Sequence, residues 1–116
     1  MSFGSKNRKE KWALIPSDTE ILITHMPPRD IMDCTVKGQW GDKDLKDEVI
    51  KRIKPNVHIF GHVHEGYGFL TQENITFINC ACEVWPPDAL GRKVRDPIWF
   101  DYDIEKHKVV NIEQWL

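Results

Sequence analysis

The chain has no apolar run near the roughly 20 residues that a membrane-spanning helix needs, so no membrane segment is expected. No apolar stretch follows the charged residues 1–9, so these do not read as a secretory leader. Cysteine is scarce, and its count of three is odd, which suits free thiols in a reducing cytoplasm better than a disulfide framework. Positive charge is not in excess. With 16 Lys and Arg against 18 Asp and Glu, the net charge of −2 argues against a surface built to neutralise a nucleic-acid duplex. There is no repeat, linker or low-complexity tract, so residues 1–116 read as one domain. At 116 residues, with 41% hydrophobic and 29% charged, a globular core is within reach.

What the chain does have is punctuated apolar runs. Residues 6–15 suit a short helix that Pro16 stops. Residues 20–24 (Glu-Ile-Leu-Ile-Thr) are rich in β-branched side chains and predict a strand buried on both faces. Met26-Pro27-Pro28 ends it, because each proline lacks an amide donor and restricts the residue before it. Residues 29–42 read as a long ordered loop, and residues 43–54 as a helix. Its apolar face is Leu45, Val49, Ile50 and Ile53, with Asp42 or Asp44 as the cap. Val57-His58-Ile59-Phe60 is a second buried strand, and strand–helix–strand implies a parallel α/β unit. Further strands are expected at 67–71, 76–79, 97–102 and 109–114, with a loop over 83–96 and a hairpin turn at 105–108.

Histidine carries the chemical signal. In Gly61-His62-Val63-His64, extended backbone would project both imidazoles to one side, roughly 6.5–7 Å apart. That spacing suits one metal ion, or one member each of a metal pair. Gly61 would leave bare backbone beside the cluster. His25 ends the first strand as the pair follows the second, and open α/β sheets place ligands at such ends. His58, inside its strand, reads as structural with a single hydrogen-bond partner, and His107 as solvated. Cys80-Ala81-Cys82 lacks the usual zinc spacing. Alternation points Glu65 away from the histidine pair, and Asp42-Lys43-Asp44 is better explained by capping than by metal.

In their order, several blocks resemble the calcineurin-like metallophosphoesterases, and in particular the metallophosphoesterase-domain-containing branch, which is similar to class III cyclic-nucleotide phosphodiesterases. The blocks are residues 11–16 (Lys-Trp-Ala-Leu-Ile-Pro), 21–28 around His25, 54–68 around His62 and His64, 76–80, and 97–101. The likeness covers about residues 10–102, and 103–116 then form a terminal hairpin. The resemblance implies an α/β fold: the carboxy-terminal half of an αββα sandwich, a partial two-sheet β-sandwich with a flanking helix. It implies hydrolysis of a phosphomonoester or phosphodiester, with a nucleotide as one such substrate. It makes His25, His62 and His64 metal ligands, where the complete family site holds two divalent ions (Mn, Fe or Zn).

Two departures qualify that implication. Met26 stands where a glycine is usual. The family's D-x-H, G-D-x-x-D and G-N-H-D/E motifs are absent, and with them the bridging aspartate and the catalytic histidine. Three neutral imidazoles bring no charge to offset two close cations, so at most one ion is expected, and a chain inactive on its own. An incomplete sheet should also expose the apolar edges of residues 21–23 and 57–60, which opens a route to self-association. The competing readings are a non-catalytic interaction module and a mononuclear three-histidine zinc protein.

Overall fold

The computed structural model describes residues 5–83, 89–91 and 93–114. It is mixed α/β. Helix α1 (Ser5–Ala13) comes first, then β1 (Ile21–Ile23), a small antiparallel hairpin of β2 (Cys34–Thr35) and β3 (Gly38–Gln39), and α2 (Lys43–Asp47). A π-helical segment (Glu48–Ile53) continues α2 into β4 (Val57–Phe60). After a 3-10 turn (His64–Gly66) come β5 (Gly68–Gln72), β6 (Ile75–Asn79), and the hairpin β7 (Ile98–Asp103) and β8 (Lys108–Gln114). Among the described residues no helix is long and apolar enough to cross a membrane.

The central sheet runs β1-β4-β6-β5, with β1, β4 and β6 parallel and β5 antiparallel. Paired residues share a face, so Leu22, His58 and Phe77 lie in one row across three strands. That face carries the core. Leu22, Phe60, Ile75 and Phe77 pack with Trp12 of α1 and with Leu45, Val49 and Ile53. Leu45, Val49 and Ile53 recur every four residues, so each successive turn delivers one apolar side chain to the sheet. Arg52 ties the two helical segments together by donating to the carbonyls of Trp12 (3.2 Å) and Ile15 (2.8 Å) at and just past the end of α1.

Several expectations need correction. The first strand is not buried on both faces: Leu22 is buried, while Ile21 and Ile23 are exposed, the latter at 72%. β1 is an edge strand, and no described strand covers its outer side. Val57–Phe60 is no edge, because β1 and β6 flank it. The helix over 43–54 is α-helical only to Asp47. It then widens, and Lys54, in left-handed backbone (φ 47°), closes it by donating to Val49 O at 2.9 Å. Asp42 is the cap, its side chain accepting from Leu45 N at 2.9 Å. Residues 29–42 contain the β2–β3 hairpin, which strands of two residues do not signal in sequence.

The later strands fall within one residue of expectation at each end. His107 is not simply solvated. It pairs with Glu20, and Tyr102 donates to the same carboxylate (2.9 Å) while accepting from Asn56 Nδ2 (2.8 Å), so the terminal hairpin is tied to the start of β1 and β4. These two hydrogen bonds, from His107 first, hold the Glu20 carboxyl below its usual pKa. Much of the loop expected over 83–96, residues 84–88 and 92 with Pro86 and Pro87, lies outside the described residues.

Candidate functional site

Parallel pairing of β1 with β4 brings their carboxyl ends side by side, and the two chains are laced together beyond the strands. Thr24 N donates to Ile59 O (2.9 Å), and Gly61 N donates to His25 O (3.0 Å). His25 and His62 therefore emerge next to each other, with ring centroids 4.9 Å apart and planes inclined at 57°.

The tetrapeptide of residues 61–64 is not extended. His62 has a left-handed φ of 67°, Val63 is extended and buried, and His64 opens the 3-10 turn. A non-glycine residue in that region carries backbone strain, which clusters where the fold over-determines a side chain's direction. The over-determining group here is Asn79. Fully buried at the end of β6, it donates Nδ2 to Val63 O (2.9 Å) and Met32 O (3.1 Å) and accepts from Ala81 N (3.0 Å). It staples the His62 loop to the loop after Pro28. Gly66 belongs to the same junction, since a Cβ there would stand 2.1 Å from Met32 O. The turn also overrides strand alternation, so Glu65 does not point away: it lines the same cavity wall as His62 and His64.

His62 is held below the usual imidazole pKa, first by lost hydration and then by repulsion from His25 and His64. A neutral ring keeps a nitrogen lone pair free to bind a cation. Among the described residues, no group of three or more His, Cys, Asp and Glu side chains is gathered closely enough to hold a metal ion. The residues present thus fit two nitrogen ligands of one ion. They do not fit a dinuclear centre, which needs carboxylate between the cations. The structure joins His25 to His62 and sets His64 near them, and among the described residues no third donor closes onto the pair. Cys34, Cys80 and Cys82 are free thiols.

Sequence reasoning missed Asn79, Asp33 and Arg95. Asp33, buried, accepts from Asp30 N and Gly41 N, both at 3.0 Å, and so closes the loop that carries β2–β3. Arg95 donates to His64 O and lies over the Tyr67 ring, 4.9 Å from its centroid. None has a local motif: Asn79 and Arg95 hold backbone distant in sequence, and Asp33 bridges residues 30 and 41 within one irregular loop. His58 behaves as expected, with one partner, Thr24.

No protein-family model matches the chain. A UPF0046 protein of Caenorhabditis elegans is 46% identical over 80 residues, covering 66% of this chain and 27% of that protein. A second UPF0046 protein of the same organism is 40% identical over 100 residues, covering 84% and 24%. Metallophosphoesterase domain-containing protein 1 of Homo sapiens is 42% identical over 74 residues, covering 62% and 23%. The chain is related, over part of its length, to a metallophosphoesterase-related family, and it spans about a quarter of the length of these relatives.

Proposed function

We propose that this chain carries the histidine side of a metal-dependent phosphoesterase site. His25 and His62 bind one divalent ion (zinc, manganese or iron), with His64 beside them, and the chain alone does not turn over phosphate esters. The observation that carries this reading is the apposition of the His25 and His62 rings at the ends of two adjacent parallel strands. Relatives named for a metallophosphoesterase domain support the hydrolase class. When bound, such an ion polarises a phosphoryl oxygen and lowers the pKa of a coordinated water. The chain's own part is to hold two neutral nitrogen donors in register. Glu65 lines the same wall, but among the described residues no carboxylate is gathered with the histidines closely enough to offset a second cation, which is the physical reason to expect one ion and no hydrolysis.

The test pairs metal binding with turnover. Zinc titrated into the full chain should perturb the ring signals of His25 and His62 together. A generic aryl phosphodiester with added manganese should be hydrolysed no faster than in buffer. Turnover abolished by His62→Ala would contradict the inactivity, and ring signals indifferent to zinc and manganese would contradict the site.

A second reading is favoured by β1 itself. Ile21 and Ile23 are exposed along an edge strand, with Leu14 exposed nearby. The chain would then act as an interaction module that pairs through this edge, with itself or another protein. Light scattering after size exclusion decides for self-pairing: a dimer that Ile23→Lys converts to monomer supports it, and a monomer at high concentration removes it.

A further inference from the structure

A cavity of about 430 Å3 opens between the β2–β3 hairpin and the 3-10 turn, beside the histidine pair. Val36, Lys37 and Trp40 form one wall, and His62, His64 and Glu65 line the other. Val36 is 98% exposed and Trp40 51%. Singly, such exposure needs no explanation. Here both residues flank a lysine and face two imidazoles across a concavity, the pattern of a mostly apolar pocket with a few convergent polar groups.

The aromatic wall is built to stay in place. Trp40 donates its indole N–H to Thr35 Oγ1 at 2.8 Å and its backbone N–H to Asp33 O at 3.0 Å. The loop beneath is closed by the buried Asp33 carboxylate and by the Lys46–Asp30 ion pair at 2.8 Å. With its N–H satisfied by the hairpin, the indole offers its π face to a ligand at little further cost in conformational entropy.

We propose that this cavity receives the aromatic group of an aryl phosphate ester. The ring stacks on Trp40 and contacts Val36, while the phosphate lies toward Lys37 and the imidazoles. This rests on the phosphoesterase reading of the histidine pair and narrows it to a substrate class. Charge on the walls favours the ring as the anchor. Lys37 and Glu65 offset each other, so a bare phosphate finds little net attraction, and affinity must come from the stacked group.

The test uses the full chain, treated with a chelator and nitrogen-15 labelled, and follows the backbone amide resonances of Gly38 and Glu65 in every variant, with the Trp40 indole N–H, assigned with Trp40→Phe, as a second reporter where Trp40 is present. Phenyl phosphate, methyl phosphate and phenol are titrated separately. Phenyl phosphate should bind at least about tenfold tighter than methyl phosphate, the scale of one aromatic stack. Trp40→Ala should abolish that difference. Val36→Ser, at a fully solvated position, should weaken phenyl phosphate severalfold without touching the fold, and Lys37→Gln should weaken it severalfold while leaving phenol unchanged. Equal affinity for phenyl and methyl phosphate, or binding indifferent to Trp40→Ala and Val36→Ser, overturns the proposal. Phenol binding as tightly as phenyl phosphate overturns its phosphate half. No metal and no turnover enter the measurement, so failure of the histidine pair to bind an ion is a separate result.

Discussion

His58 Nε2 lies 3.0 Å from Thr24 Oγ1, and the Thr24 hydroxyl is 2.7 Å from Met26 O. A hydroxyl has one proton, and a carbonyl can only accept. Thr24 therefore donates to Met26 and accepts from His58, which places the imidazole proton on Nε2. The buried Nδ1, without a partner among the described residues, is then a bare lone pair. This relay clamps the turn that carries His25 from beneath the sheet. Its interior end is hydrophobic, with the rings of Phe60 and Phe77 centred 5.1 and 5.8 Å from that of His58.

Burial pushes the His58 pKa down to about 3 from an ordinary 6.5. The unfolded chain then takes up a proton below pH 6.5 that the folded chain refuses until about pH 3. Stability from this group is complete above the unfolded value and is lost as pH falls through that window, at up to about 1.4 kcal/mol per pH unit. Urea midpoints should fall steadily from pH 7 to pH 4.5. His58→Gln should flatten that slope even if it lowers the midpoint at pH 7. An unchanged slope would mean that other groups dominate.

Asn79 is predicted to be the most sensitive polar position. Asn79→Leu removes two donated bonds and one accepted bond from buried backbone, leaving Met32 O and Ala81 N unpaired and Val63 O with Gly66 N alone. The cost should be about 2–4 kcal/mol, from a typical 1–3 kcal/mol for each buried group left unsatisfied, reduced by relaxation. The His62 amide and ring resonances should also broaden, because its left-handed backbone loses its tether. Denaturant unfolding and a nitrogen-15 spectrum check both parts.

The sheet was legible in the sequence because its signal is local. Runs of β-branched and aromatic residues between prolines and glycines mark β4, β6, β7 and β8, and Asp42 before a periodic apolar face marks α2. The candidate site was legible only as residue types. His25 and His62 could be placed on neighbouring strand ends because strand–helix–strand units run parallel. What was hidden depends on long-range backbone contacts. The left-handed turn at His62 follows from Asn79, 17 positions further along the chain. The Trp40 wall follows from a carboxylate at Asp33. The exposure of Ile21 and Ile23 follows from β1 lying at an edge, which composition cannot reveal.

Two glycines beside the site should respond in opposite ways. At Gly66 a Cβ would meet Met32 O at 2.1 Å and Met32 C at 2.8 Å, both backbone atoms with no room to yield. Gly66→Ala should therefore cost at least about 2 kcal/mol by overpacking. At Gly61 the nearest atoms, Ala81 N and His25 O, are 4.0 Å from that point. Gly61→Ala should lie within about 0.5 kcal/mol of the parent. Thermal melts of the two variants under one condition check the contrast. Equal losses would show that the bare backbone at Gly61 is needed after all.

The three histidines should not be equivalent toward a cation. Only His25 and His62 are in ring contact, while His64 begins a turn whose carbonyl is already engaged by Arg95. Removing a direct ligand should cost at least the 10–100-fold in affinity typical of a supporting partner. His25→Ala and His62→Ala should thus each weaken zinc at least about tenfold by calorimetry, and together no more than either alone, since one nitrogen cannot hold the ion. His64→Ala should change zinc affinity less than about threefold. It should also raise the His62 pKa toward its ordinary value, because a positive neighbour is removed and charging of the ring becomes less costly. A His64→Ala loss as large as that of His25→Ala would instead mean that the turn unwinds on metal binding and that the three imidazoles close around a single ion.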